Sequence, residues 1–225
     1  MFKQYREFQP GEYIIVGADC SEGCGDNSCA QFYSKGKMDV PLVWCSPAIA
    51  TEMTNAIYPI LEKIYDVTGI KPLVAYERNK GGTYEVERLS SLNRMSKYEI
   101  YIMPDDIGKE KNGESKKKTN RRLGWETNGA SRPAMLIALK EAIDDKVIKV
   151  YDLATLEELL TFIKVQSSGT WKAAAEKNCH DDRVMALAIA YQVALCAETV
   201  NLRKKSSGYK DRERSGNYDM NPMTV

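Results

Sequence analysis

The sequence predicts an α/β fold: a central mixed sheet of five or more strands, three antiparallel and then parallel ones, flanked by helices. Three observations predict it. Near the start, three β-type runs follow one another with only short turns between them, the pattern of an antiparallel meander. From residue 50 the apolar spacing becomes helical, and helix and strand then alternate, as they do where later strands join a sheet in parallel. Near the C-terminus, a long apolar helical stretch has the composition of a helix packed against that sheet. A length of 225 residues suits one large domain.

In order, residues 1–11 form an N-terminal extension. "EYIIVGAD" (12–19) is a buried apolar strand that ends on a polar residue, and "SEGCGDNS" is its turn. "CAQFYS" and "DVPLVWC" are the next two strands, joined by "KGK". Between Ala50 and Val67, the residues Met53, Ile57, Ile60, Leu61 and Ile64 recur at helical spacing. Pro59 inside that helix predicts a kink or a split, and Gly69 a stop. "KPLVAYE" is a strand, "GTYEVERLSSL" a helix, and "YEIYIMP" a further strand closed by Pro104. Residues 105–125 turn polar and basic, with seven Lys and Arg against two Glu between Lys109 and Arg122, which predicts a loop or β-hairpin insertion. Ser131 with Pro133 starts a helix to about Asp145. "KVIKVY" is a short strand and "ATLEELLTFI" a helix, while "KVQSSGTWKA" stays ambiguous around its Ser-Ser-Gly turn. The main domain runs over 12–200. Beyond it, 201–225 is Lys-, Arg-, Ser- and Asn-rich and reads as a disordered tail.

A net charge of +1 excludes a global polyanion binder, so any nucleic-acid contact must be local. The apolar run from Val184 to Cys196 is shorter than the ~20 residues a membrane span needs. With no charged-then-apolar leader in view, the expectation is a cytoplasmic protein whose six cysteines are reduced thiols. Cys20, Cys24 and Cys29 raise the question of a zinc site. Their spacing is not a CxxC pair and the chain has one histidine, His180, so packing is the favoured role.

The candidate chemistry lies in carboxylates at element ends. Asp19 closes the first strand and Glu77 the fourth, and Asp181 and Asp182 open the apolar helix. Helix capping and local pairing are the plain alternatives for each acid alone. If the first and fourth strands are neighbours, Asp19 and Glu77 stand side by side, and the helix can bring Asp181 or Asp182 to them. Clustered buried carboxylates repel unless a hard cation joins them, and Mg²⁺ or Mn²⁺ suits an all-oxygen set. Two such ions about 3.5–4 Å apart can clamp an in-line phosphoryl displacement, which needs no catalytic histidine or cysteine. Adjacent helical residues point about 100° apart, so Asp182 is expected as the direct ligand, with Asp181 capping or binding through water.

The pieces "VGADCSEG", "AYERNKGG", "GWETNGASRPAML" and "HDDRVMALAIA" together resemble the nuclease domain of the large terminase subunit of tailed double-stranded DNA bacteriophages, over roughly residues 12 to 198. The resemblance implies a ribonuclease H-like fold and metal-dependent endonucleolytic cleavage of concatemeric viral DNA during packaging, with little sequence preference. It implies Asp19, Glu77, Asp181 and Asp182 as catalytic metal-binding acids, served by Mg²⁺ or Mn²⁺, with two ions expected. It also implies double-stranded DNA, the terminase ATPase domain, the small terminase subunit and the portal protein as partners, in the cytoplasm of an infected bacterial host. The basic segment is similar in position to a mobile hairpin near the active site, so Lys116, Lys117, Lys118, Arg121 and Arg122 are candidate phosphate contacts. Arg78 and Lys80, beside Glu77, are others. Asp26 falls where the family often carries a further Asp, and His180 is read as local scaffolding.

One departure from the family bears on function. No GxxxxGK[ST] phosphate loop occurs, so the expectation is an excised domain or a separately encoded nuclease without its ATPase motor. Two rivals keep the fold: a Holliday-junction resolvase or integrase-like enzyme, and a catalytically inactive DNA-docking module. An actin-like or sugar-kinase ATPase would need a second glycine-rich phosphate turn and a second lobe, for which "NKGG" is a poor substitute.

Overall fold

In the computed structural model, which describes residues 1–23, 25–79, 81–103, 122–167, 170–175 and 180–210, the N-terminal extension contributes an edge strand, β1 (Phe2–Gln4). The three predicted meander strands follow as β2 (Ile14–Asp19), β3 (Ser28–Ser34) and β4 (Asp39–Ser46). Helix α1 (Ala50–Thr68), strand β5 (Leu73–Tyr76), helix α2 (Gly82–Leu92) and strand β6 (Glu99–Ile100) complete the alternating part. The main sheet has six strands in the order β1-β4-β3-β2-β5-β6. β2, β3 and β4 pair antiparallel, whereas β5 joins β2, and β6 joins β5, in parallel. This is the mixed sheet that the sequence predicts.

The two faces of the sheet differ. Ile14, Val16, Ala18, Ala30, Phe32, Val74 and Tyr76 form a buried core with Met53, Ile57, Leu61 and Ile64 of α1 and with Val86 and Leu89 of α2. α1 runs unbroken through Pro59, which corrects the expected split. Pro59 sits on the exposed side, and the four apolar residues on the other side, each fully buried, outweigh its lost hydrogen bond.

The later part of the chain departs more from the sequence reading. "YEIYIMP" breaks at Tyr101 into β6 and a short β7 (Ile102–Met103), and β7 pairs antiparallel with β8 (Arg122–Leu123). Residues 104–121, most of the basic insertion, lie outside the described residues. Helix α3 (Ser131–Asp144) forms as predicted. "KVIKVY" makes no strand; β1 already takes Leu42–Trp44 of β4, and the segment meets β4 through one parallel bridge, Lys149 to Asp39. Helix α4 (Leu153–Leu160) stops before Phe162, and the ambiguous stretch is a hairpin, β9 (Phe162–Ser167) with β10 (Thr170–Ala175). The Thr161–Phe162–Ile163 run favours extended chain over helix.

Helix α5 (Asp182–Lys210) closes the described chain. Met1–Val193 is one compact unit and Ala194–Val225 a second, so α5 begins in the first and continues into the second. Of the tail, 211–225 lies outside the described residues. Among the described residues no helix is long and apolar enough to cross a membrane. Cys29 and Cys45 are cross-strand partners in β3 and β4 and are joined as a disulfide, which corrects the expectation that all six cysteines are thiols. Antiparallel register sets them directly opposite each other, a pairing invisible without the strand alignment. Cys20 is a buried thiol of the core, as expected of a packing residue, and Cys24 lies outside the described residues.

Candidate metal centre

Strand register brings the first two acids together. Ala18 pairs with Tyr76 in the parallel β2–β5 ladder, and the Glu77 amide donates to the Ala18 carbonyl at 2.7 Å, so Asp19 and Glu77 are neighbours one step beyond. Alternation gives them a common face. Ile14, Val16 and Ala18 point into the α1–α2 core, which turns Ile15, Gly17 and Asp19, with Ala75 and Glu77 beside them, to the other face.

That face is covered by α5. A Cβ on Gly17 would stand 2.2 Å from the Ala186 carbonyl oxygen and 2.4 Å from the Ala190 amide, so the helix lies directly on the strand and only glycine fits. The helix runs against the direction of β2. Its first residue meets the turn after β2, where the Asn27 amide donates to Asp182 Oδ2 at 2.9 Å. Farther along, Tyr191 packs edge-on against Tyr33, the cross-strand partner of Ile15. Asp182 is one helical turn before Ala186, and Asp19 two strand residues beyond Gly17, so both lie at the carboxyl end of β2 on the same face. Asp19, Glu77 and Asp182 are 5%, 6% and 4% exposed.

The Gly-Gly pair in "ERNKGG" has a local cause. Gly81 has a φ of 81°, and a Cβ on Gly82 would lie 1.7 Å from the Glu77 carbonyl oxygen. The turn therefore folds back onto the residue that carries the acid, which no larger side chain permits.

Glu77, Asp182 and Asp181 each have a partner of their own in the fold: Asn79, Asn27 and Arg132. Glu77 Oε1 accepts from Asn79 Nδ2 at 3.3 Å, and Asn79 also reaches the Thr127 carbonyl. Asp182 Oδ2 accepts a second bond from Asn27 Nδ2 at 3.3 Å and lies 3.7 Å from His180 Nδ1. Burial pushes the Asp182 carboxyl above the usual aspartate range; Asp26 and Asp181 push the same way, against the lowering by Asn27. Asp181 is ion-paired with Arg132 at the start of α3. The first α5 amides go elsewhere: Arg183 and Val184 both donate to Glu158 Oε2, at 2.9 and 3.4 Å. As the side chains are posed, no group of three or more His, Cys, Asp or Glu that could hold a metal ion exists among the described residues. The backbone gathers the acids at one end and face, while Asp182 is turned onto Asn27 and Asp181 onto Arg132.

The other expected residues are distributed as follows. Arg78 Nη1 donates to the Leu123 carbonyl at 2.8 Å, tying the end of β5 to β8. Arg122 is exposed and pairs with Glu126 at 3.2 Å. Lys80, Lys116, Lys117, Lys118 and Arg121 lie outside the described residues. The Asp26 carbonyl accepts from Ser21 within the turn after β2. Sequence reasoning missed Asn27, Asn79, Arg132 and Glu158. Asn79, two residues after Glu77, was the findable one, whereas the others meet the acids only through the fold. A cavity of about 380 Å³ lined by Gln9, Glu12, Tyr13 and Lys35 lies at the opposite end of β2 from Asp19.

No protein-family model and no curated protein matches the chain. Solved structures do. The large terminase nuclease of thermophilic phage G20c with bound cobalt is similar at a TM-score of 0.62 and 17% identity, with 85% of this chain and 86% of that one covered. The same nuclease with bound magnesium gives 0.61 and 16%, again over 85% and 86%. The large terminase nuclease domain of Thermus phage P74-26 gives 0.59 and 15%, over 84% of each chain. At these identities the likeness shows the fold, which is the ribonuclease H-like one.

Proposed function

We propose that this chain is a divalent-metal-dependent endonuclease that hydrolyses double-stranded DNA with little sequence preference, in the manner of a phage terminase nuclease cutting concatemeric genomes during packaging. The observation that carries the reading is the convergence of Asp19, Glu77 and Asp182 at the carboxyl end of β2 and β5, on the face covered by α5. The structurally similar nucleases have bound cobalt, magnesium or zinc, which supports a divalent ion here. The donor set fits it: buried carboxylates offer hard oxygens, the preference of Mg²⁺ and Mn²⁺.

In this reading Asp19, Glu77 and Asp182 hold the ions, two in number, and Asp181 stays an outer acid held by Arg132. The ions, when bound, supply charge stabilisation and an activated water for in-line displacement at phosphorus. The chain's own residues do the rest. Asn27 and Asn79 orient the carboxylates through amide bonds that a cation can replace without leaving a buried charge. Gly17 and Gly82 fix the close approach of α5 and of the Glu77 turn. Arg122 lies in β8, which Arg78 ties to the end of β5, and it grips phosphates together with the basic residues of the insertion, without reading bases. The ATPase domain, small terminase subunit and portal are the partners, and the host cytoplasm is the setting.

The test is nicking of supercoiled plasmid in Mn²⁺, Mg²⁺ and EDTA by the wild type, Asp19→Asn and Asp182→Asn. Loss of about 4 kcal/mol of transition-state stabilisation predicts a rate at least about 10³-fold lower in each variant. Full-rate cutting by both variants would remove these acids from the mechanism.

A further inference from the structure

Helix α4 is inside out. Its exposed positions include Leu153 and Leu160, 66% and 84% exposed, while Thr155 and Glu158 are buried behind the N-cap Asp152. Burying polar groups in place of available leucines costs free energy unless they make specific bonds. All three make them: Asp152 and Glu158 reach the start of α5, and Thr155 bonds Asp152 and Gln31. Asp152 Oδ2 accepts from the Thr155 amide at 3.0 Å and from its hydroxyl at 2.8 Å, and lies 3.7 Å from Arg183 Nε. Glu158 Oε1 takes Arg183 Nη1 at 2.5 Å, and its Oε2 takes the Arg183 and Val184 amides. Gln31 of β3 closes the set, donating to Thr155 Oγ1 at 2.9 Å and to the Arg183 carbonyl at 3.3 Å.

We infer that Glu158 is a positioning residue for the metal centre: an N-cap supplied in trans that takes the amides of α5's first turn. A helix start offers N–H groups that a local Asp would normally accept. With Glu158 on the amides of Arg183 and Val184, the N-cap Asp181 is left to Arg132, and the start of α5 is held where Asp182 meets the Asn27 turn at the end of β2. The Arg183 fork on Glu158 and Asp152 fixes the helix's rotation, and with it the direction of the neighbouring Asp182. Asp182 is thus aimed by a helix that carries no proposed ligand.

This inference rests on the metal-dependent reading, and the experiment separates the two. The full chain and its Glu158→Ala, Glu158→Gln and Glu158→Asp variants are titrated with Mn²⁺ by calorimetry and assayed for nicking across Mn²⁺ concentration. Hydrogen exchange at the Arg183 and Val184 amides is measured without metal. Outer-shell partners of metal ligands are typically worth about 10–100-fold in metal affinity. Glu158→Ala is expected to weaken Mn²⁺ binding by about tenfold or more, to raise the Mn²⁺ needed for half-maximal nicking by the same factor, and to speed exchange at both amides. The maximal rate at saturating Mn²⁺ is expected to change little. Glu158→Gln keeps an oxygen on the amides and restores most of the affinity. If Glu158→Ala fails to fold, Glu158→Asp, which keeps the charge but withdraws the oxygen by one methylene, carries the test. A folded Ala or Asp variant with wild-type Mn²⁺ affinity would overturn the positioning role while leaving the nuclease intact. A wild type that neither binds Mn²⁺ nor nicks would sink the nuclease reading, and this role with it.

Discussion

Two groups of buried acids sit at different places on the same sheet, and the chain treats them in different ways. Beside the start of β4, Asp39 and Glu12 share one guanidinium: Arg6 Nη2 reaches Glu12 Oε1 and Asp39 Oδ1, each at 2.5 Å, and Tyr151 adds a hydroxyl to Asp39. At the carboxyl end of β2, Glu77 and Asp182 receive neutral amides from Asn79 and Asn27. A buried carboxylate is tolerable only with compensating charge or hydrogen bonds. Arginine supplies permanent charge and builds a structural joint. Amides satisfy lone pairs but leave the negative potential standing, which is what a cation site requires. In the proposed reading, the difference separates acids that hold the fold from acids that hold a metal ion.

The largest effects expected are therefore of opposite kinds. Asp182→Asn removes most nicking while leaving the fold at least as stable, because a neutral isostere no longer has to bury charge. Arg6→Ala does the reverse. Removing one partner of a buried ion pair costs about 3–5 kcal/mol, and Arg6 has two partners, Glu12 and Asp39, whose side chains are 3% and 5% exposed. Urea unfolding is expected to show a loss of about 3 kcal/mol, with the nicking rate per folded molecule unchanged. A folded Arg6→Ala that loses cutting outright would erase the distinction.

A smaller effect separates the groups by pH. Burial raises the Glu12 carboxyl, but hydrogen bonds from Arg6 and the Gln9 amide help to outweigh it, and it lies below the usual glutamate range. The unfolded chain then binds the proton more tightly. Glu12 contributes stability above about pH 4.3 that is lost as pH falls through its folded value. Asp182 is displaced upward by burial, so the folded chain holds the proton more tightly, and metal-free stability falls as pH rises from about 4 through its folded value. Unfolding in EDTA from pH 3 to 7 should show the acid-side loss reduced in Glu12→Gln and the decline on the alkaline side flattened in Asp182→Asn. Parallel profiles for wild type and both variants would mean that the acids are not opposed in this way.

How much of this was legible depends on the length scale of each signal. The meander, α1, β5, α2 and the acids at strand ends are written in local periodicity. Asp19 and Glu77 could therefore be placed side by side once β2 and β5 were taken as neighbours. The hairpin β9–β10 and the end of α4 were harder, because "LLTFIKV" is apolar in both helical and strand registers. The trans partners were out of reach. Asn27 lies 155 residues from Asp182 and Glu158 lies 25 from Arg183, and nothing local marks either as a partner. Gly17 belongs between these cases. "VGAD" announces a glycine in a strand, and a glycine there signals close backbone approach, but that α5 approaches is known only from the fold.

The smallest prediction concerns Arg122, where the basic insertion re-enters the described chain. Its pair with Glu126 joins side chains 57% and 41% exposed, and such surface pairs contribute about 0–1 kcal/mol, so Arg122→Ala is expected to leave stability unchanged. If Arg122 meets a phosphate, it releases one counterion on binding. The variant should then lower the slope of log affinity against log salt by about 0.9, equally for unrelated DNA sequences. Arg6→Ala should leave that slope alone, since Arg6 is committed to Asp39 and Glu12. Fluorescence anisotropy with two unrelated duplexes over a salt series measures both slopes. A slope that moves with Arg6 and not with Arg122 would put the DNA on the Arg6 side of the sheet, and the two acid groups would have to exchange the roles assigned to them here.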